Sequence, residues 1–379
     1  MAASTSAIVP FVDLKPMHEL LQDKIEQAIE NVLQRGDFIL GKAVAEFESA
    51  FAMASNADYG IGVACGTDAI ALSLGACGIG VGDEVIVPAN TFIATLIGVI
   101  RAGATPVLVD ADPNTALIDL AAVEAAITPK TKALLPVHLY GQMVSPSQLR
   151  KLASKYNLTI LEDASQAHLA EREGDRAGSV GTVAAFSLYP SKNLGAFGDG
   201  GIILTQDAHL ATTMRTLRNY GAPQKYLHTE LGTNSRLDTI QAAILNVKLP
   251  HLQTWNQWRN QVAQKYDAAL EPLRSKGIIP IENQSGTGHV YHLYVIRVTD
   301  ECPVDRQILQ EELRAKGIQN GIHYPIPCHL QPAYKYLGYQ EGDFPHAEAL
   351  CQQILSLPMY FGLSDEQIQQ VVDAIKSLI

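Results

Sequence analysis

Nothing in this sequence offers the uninterrupted run of about twenty apolar residues that a membrane-spanning helix needs. The most apolar stretch, VIVPANTFIATLIGVI, is short and broken by Pro88, Asn90 and several threonines, so no membrane partner is expected. Cysteine is scarce, with five in 379 residues. Cys65, Cys77, Cys302, Cys328 and Cys351 are scattered, and no C-x-x-C pair exists. That spacing suggests neither a disulfide framework nor a zinc site, and reduced cytoplasmic thiols are the expectation. The first residues, MAASTSAIVPF, lack a basic region followed by a long apolar core, so no export leader is expected there. Positive charge is also in short supply. Lys and Arg number 28 against 39 Asp and Glu, a net charge of −11, the wrong sign for a general nucleic-acid binder.

Several chemical signatures are missing as well. No G-x-G-x-x-G, G-x-S-x-G or H-E-x-x-H occurs, which leaves nicotinamide, serine-hydrolase and zinc-protease chemistry without a foothold. GDFILGKA, residues 36–43, comes near a phosphate-binding P-loop but fails it. Ala43 cannot coordinate Mg²⁺, the loop interior is apolar, and the segment follows a helix where a P-loop follows a strand.

What is present is core-forming material: 47% apolar and 18% charged residues, over a length natural for two domains. Apolar residues at Met17, Leu21, Ile25, Ile29 and Leu33 have helical spacing, ended by Gly36 as a C-cap. Beyond about Gly60, short apolar runs alternate with helical stretches: DEVIV, TPVLVD, KALLPVH, LTILED, VAAFSL and GIILT. Runs of this kind predict strands buried on both faces of a mostly parallel sheet, an α/β architecture. Near Pro250 the texture changes to a long helix, a strand candidate HLYVIRV, a helix, the loop GIHYPIPCHLQPAY and a last helix. The division expected is a large α/β domain over 1–250 and a smaller α+β domain over 251–379.

In such sheets ligands gather at the carboxyl ends of the strands. LTILEDASQAH places Asp163 at one such end, where a carboxylate can hold a ring nitrogen protonated. Gln166, three residues on, can hydrogen-bond a neighbouring phenolic oxygen. The plain alternative is that Asp163 caps a following helix. Gly66 and Thr67, opening a helix in VACGTDAIALSLGA, can cradle a phosphate with backbone N–H groups and a hydroxyl, or Thr67 can be an ordinary N-cap. Phe92 in VPANTFIAT can stack on a planar ligand or fill the core. In SLYPSKNLGAFGDGG, Ser187 can add a hydroxyl to the phosphate. Lys192 can form an imine with an aldehyde once desolvation or cationic surroundings lower its pKa. Together these supply each contact that pyridoxal 5′-phosphate requires.

The segments GTDAI, DEVIVPANTFIAT, PVHLYGQ, EDASQAH, FSLYPSKNLGAFGDGG, GTNSRLDTIQAA and GIHYPIPCHLQPAY resemble, nearly end to end, the DegT/DnrJ/StrS group of sugar-nucleotide aminotransferases. The resemblance implies the fold type I aminotransferase architecture, with a seven-stranded sheet, and a homodimer with shared active sites. It makes Lys192 the imine-forming lysine and sets Asp163 against the pyridine nitrogen. Gln166 lies near the phenolic oxygen, Phe92 stacks on the ring, and Gly66, Thr67 and Ser187 hold the phosphate. Asn234 reaches the cofactor phosphate of the other subunit. Cys65, Ser165 and Leu169 depart from residues frequent in the family, which bears on substrate fit. The implied reaction takes an amino group from L-glutamate to a nucleotide-linked keto sugar. RNYGAPQKYLHTELGTNSRLD is similar to members acting at carbon 3 of dTDP-linked 3-keto-6-deoxyhexoses. Alternatives are a UDP-linked 3-keto uronic acid sugar, a dehydratase of the same family, and a regulatory protein that binds the cofactor without turnover.

Residues 208–229 contain no acid but hold Arg215, Arg218 and Lys225. Against the acidic background, Arg218 and Lys225 are candidates for the nucleotide diphosphate, with a solvated basic loop as the alternative. Tyr189, His323 and Tyr324 are candidates for sugar contact. His138 and Trp255 are expected in the core or an interface, and no metal site is expected.

Overall fold

A computed structural model describes residues 8–379. The expectation that the first residues carry no export leader therefore falls largely outside the described residues. Seven strands form the main sheet, in spatial order Tyr59–Val63, Gly201–Thr205, Val183–Ser187, Thr159–Asp163, Thr131–Leu134, Glu84–Pro88 and Thr105–Val109. The last five are mutually parallel, while Gly201–Thr205 runs antiparallel to both of its neighbours. The α/β sheet expected from the apolar runs is thus present. Successive side chains of a strand point to opposite faces. Ile86, Ile202 and Phe186 accordingly join one buried cluster, while Val85, Val87, Ile203 and Ala185 join another. Helices cover both faces, which is why these strands read as continuous apolar runs and not as alternating ones.

This topology brings the chemistry to one edge. Asp163 and Ser187 close parallel strands at their carboxyl ends. Val63 and Ser187 both pair with Gly201, the first residue of the antiparallel strand. Residues following Val63, Pro88, Asp163 and Ser187 therefore meet in space.

A second layer follows. Ile278–Pro280, Tyr294–Val298 and Ile354–Leu357 form an antiparallel sheet packed with the helices Leu252–Leu270, Arg306–Ala315 and Asp365–Lys376 around Tyr266, Ile296, Leu355 and Val372. Val9 joins that core and bridges Ile318, so the N-terminal segment, grouped with residues 1–250 by sequence, runs onto the C-terminal layer. The helix expected over Met17–Leu33 is two helices, Lys15–Glu19 and Gln22–Arg35. In the second helix Val32, seven residues after the buried Ile25, is fully buried, whereas Leu33 is 52% exposed. Gly36 does end the second helix, at a left-handed φ of 70°. Among the described residues no helix is long and apolar enough to cross a membrane.

Candidate active site

Lys192, Asp163, Gly66, Thr67, Phe92, Gln166, Ser187, Tyr189, His323 and Tyr324 all line one cavity of about 450 Å³ at that sheet edge. Eight of these ten residues close or follow strands of the main sheet, and His323 and Tyr324 reach the cavity from the loop after Gly321, which bridges to Ser356 in the C-terminal layer.

The wall nearest the sheet carries the charge. Asp163 is buried at 5% exposure. Its Oδ2 accepts from Thr95 Oγ1 at 2.8 Å and its Oδ1 from the Ser165 N–H at 3.2 Å. No helix follows to be capped, because residues 164–170 run as turns. Its neighbour Glu162 points the other way. Glu162 is fully buried, accepts from the Gly178, Val180 and Gly181 N–H groups, and contacts His138 Nε2 at 3.0 Å. Strand alternation separates the two carboxylates: one is saturated inside the protein, the other keeps capacity toward the cavity. His138 accepts from the Val144 N–H through Nδ1 and is fully buried, as expected of a core residue.

The Lys192 ammonium has no hydrogen bond or ion pair with any described residue. Burial pulls its pKa down to about 8, against the raising effect of the Asp163 charge. A lysine tuned this way holds an accessible fraction of free amine, which an ordinary surface lysine lacks.

One end of the cavity is bordered by a helix start. Gly66 opens the helix Gly66–Ala76, whose N-cap is Cys65, with no side-chain cap. Thr67 is therefore not the cap, and its hydroxyl borders the cavity. A Cβ at Gly66 would come within 2.9 Å of Ser187 Cβ and fill the space between the helix start and Ser187. Glycine keeps that cradle open. His168 Nε2 meets the Ser187 carbonyl at 2.9 Å, so the imidazole donates there and steadies Ser187 from behind. Burial holds the His168 pKa down at about 3.

Aromatic rings close the far side. Phe92 is half exposed into the cavity, and its ring centroid lies 5.1 Å from that of Tyr324. Gln166 Oε1 accepts from the Tyr140 N–H at 2.6 Å and its Nε2 donates to Tyr324 Oη at 3.3 Å, leaving one N–H for a ligand. His323 contacts Ser356 Oγ through Nδ1 at 2.9 Å and stacks on Phe11, and burial lowers its pKa to about 4.

Three expected residues lie elsewhere. Arg218 is 6% exposed, paired to Glu48 Oε1 at 2.5 Å and donating to the Gly62 carbonyl at 2.6 Å. The expectation that it binds a diphosphate is corrected: its charge is consumed inside the protein, bracing the Tyr59–Val63 strand. Lys225 and Asn234 are exposed on the surface outside the cavity. Two residues were not anticipated. Thr95 orients Asp163, and the signal was its place one helical turn after Thr91, whose hydroxyl it meets at 2.9 Å. His292 also lines the cavity, although it entered the reading only as part of the strand candidate HLYVIRV.

A buried, partnered carboxylate, a free low-pKa lysine, an exposed ring and a glycine-opened helix start share one strand edge. Residues 19–376 match the DegT/DnrJ/EryC1/StrS aminotransferase family. The chain belongs to that family. Among similar proteins, a pleiotropic regulatory protein of Geobacillus stearothermophilus is 46% identical over 97% of both chains. The dTDP-3-amino-3,4,6-trideoxy-alpha-D-glucose transaminase of Streptomyces venezuelae is 46% identical over 97% of this chain and 95% of its own. The crystal structure of S. venezuelae DesV in complex with a ketimine intermediate superposes with a TM-score of 0.94 at 45% identity, covering 98% of each chain. This aminotransferase therefore has the PLP-aminotransferase fold.

Proposed function

We propose that this aminotransferase moves an amino group from L-glutamate to carbon 3 of a nucleotide-linked 3-keto sugar, a dTDP-linked 3-keto-6-deoxyhexose. The observation that carries the reading is the free Lys192 amine facing the same cavity as Asp163 and the Gly66 helix start. The name of the S. venezuelae relative supports the dTDP sugar.

The cofactor is pyridoxal 5′-phosphate, and the residues present fit it. When bound it supplies an aldehyde for the lysine amine and a protonated ring that withdraws electrons. Asp163, held by Thr95 and the Ser165 N–H, would keep the ring nitrogen protonated through its charge. Phe92 would lie against the ring, and Gln166 would offer its remaining N–H to the phenolic oxygen. Gly66, Thr67 and Ser187 would hold the phosphate with backbone N–H groups and two hydroxyls. Lys192 would tether the cofactor through its amine, and the same amine, when free, can take up and give back a proton at the donor's α-carbon. Its lowered pKa lets it accept and return that proton near neutral pH. Tyr189, His323 and Tyr324 line the same cavity and would contact the sugar.

The functional unit is a homodimer with shared active sites. Phe38, Ile39 and Leu40, at 45%, 50% and 39% exposure, leave an apolar loop uncovered, which supports a partner surface. In that assembly Asn234 reaches the partner's cofactor phosphate and Lys225 the partner's nucleotide diphosphate. The cytoplasm is the compartment, consistent with five unpaired cysteines among the described residues.

The test is direct. Purified holoenzyme given L-glutamate should release 2-oxoglutarate, and a panel of dTDP- and UDP-linked 3-keto sugars should show one aminated product by mass. Borohydride reduction and peptide mapping should label Lys192. Absence of 2-oxoglutarate, or a label elsewhere, overturns the proposal.

A further inference from the structure

Behind Lys192 lies a chain of two buried carboxamides. Asn193, 2% exposed, donates from Nδ2 to the Val290 carbonyl and to Asn256 Oδ1, both at 2.9 Å. Asn256, 3% exposed on the helix Leu252–Leu270, donates from Nδ2 to the His168 carbonyl at 2.9 Å. A backbone carbonyl can only accept, so Val290 and His168 dictate which end of each carboxamide carries nitrogen. Neither side chain can be turned over without setting oxygen against oxygen.

The consequence reaches the cavity. With Nδ2 of Asn193 committed, its Oδ1 faces His292 Nδ1 at 3.2 Å. A carboxamide oxygen cannot donate, so Nδ1 of His292 carries the hydrogen. The imidazole is then an Nδ1–H tautomer whose Nε2 holds a bare lone pair. No described residue donates to that Nε2, and the ring lines the cavity beside Lys192. Burial, reinforced by the charges of Lys192 and Arg259, holds its pKa well below the ordinary histidine range, so the ring stays neutral.

We propose that His292 is a hydrogen-bond acceptor for the amine N–H groups handled in this cavity, with Asn193 and Asn256 as the positioning residues that set its tautomer. A neutral acceptor beside Lys192 orients an amine so that its lone pair, not its N–H, is offered to the reacting carbon. It also withholds a competing proton donor from the place where Lys192 must be the group that exchanges protons. The tautomer is independent of substrate, whereas the acceptor role rests on the amino-transfer reading above.

The two parts are tested separately. In apoprotein labelled with ¹⁵N-histidine, long-range proton–nitrogen correlations report which ring nitrogen is protonated, and His292 is assigned from the signal lost in His292→Gln. The expected result is a single Nδ1–H tautomer at neutral pH, giving way to a mixture in Asn256→Ala. An Nε2–H tautomer or a charged ring in the wild-type apoprotein overturns the proposal whatever the substrate is. For the acceptor role, His292→Gln keeps a carboxamide oxygen available while His292→Phe removes any acceptor. With glutamate and the holoenzyme, His292→Phe should lower kcat about 10- to 100-fold, the scale of one hydrogen bond to a charged or polarised group, with Gln recovering most of it. Equal losses in both variants, with the Nδ1–H tautomer intact, overturn the acceptor role alone.

Discussion

Lys192, half-buried at the cavity, and Lys248, fully buried, are pushed to the same value by the same cause, and they sit in regions with opposite purposes. Burial brings each pKa to about 8. Lys192 faces a cavity and has no partner among the described residues. Lys248, 1% exposed, donates to the Gly195 carbonyl and lies 5.6 Å from the centre of the Phe197 ring. Gly195 belongs to the same loop as Lys192. One amine is left free to react, and the other pins the loop that carries it. A shifted pKa thus marks desolvation, and only the open space beside the group marks chemistry.

The sharpest way to break this comparison is to remove each amine in turn. Lys192→Ala should lower kcat by about 10³-fold or more, the scale of losing a positioned acid–base group, while the apoprotein keeps its circular dichroism spectrum. If activity survived, the two lysines would not differ as argued. Next comes the buried cation that sequence reading mistook for a ligand contact. Arg218→Met strands the Glu48 carboxylate, so unfolding in urea should show a loss of about 3 kcal/mol, the scale of breaking a buried ion pair. The KM for the sugar nucleotide should not change in the protein that remains folded. Asp163→Ala should cost about 10²-fold in kcat, because the ring proton loses its counter-charge, and glutamate-driven spectral change should slow accordingly.

Lys248 supplies a smaller, pH-dependent effect. Its folded-state pKa of about 8 lies below the usual 10.5, so between those values the unfolded chain binds the extra proton. The penalty is therefore fully present below about pH 8 and fades as pH rises toward 10.5. Wild-type apoprotein should gain stability relative to Lys248→Met between pH 7 and 9.5, measured as the difference in Tm; a constant difference would contradict the assignment. The smallest effect is expected at the exposed Lys225. Lys225→Ala should raise the sugar-nucleotide KM by no more than about five-fold, the upper range for a surface charge, without touching the glutamate half-reaction.

Much of the fold could be read before any coordinates. Six apolar runs became six strands of the main sheet, because burial on both faces leaves no room for polar alternation. Tyr59–Val63 escaped notice because its glycines dilute the apolar signal. Ile354–Leu357 escaped because it follows the helix Pro345–Gln353 with no turn residue between them. Asp163 and Ser187 were legible since each closes an apolar strand, and Gly66 and Thr67 since they open a helix. Arg218 was misread because charge composition cannot reveal a partner 170 positions away, Glu48.

The order of residue types along the chain by itself determined the class of sheet, the lysine, the carboxylate and the glycine-opened helix, since local spacing and strand ends set these. Which lysine stays free, which carboxylate faces the cavity and which arginine is sealed inside were decided only by tertiary structure. Those outcomes depend on long-range partners and on the loss of water, and neither is a property of any short stretch of sequence.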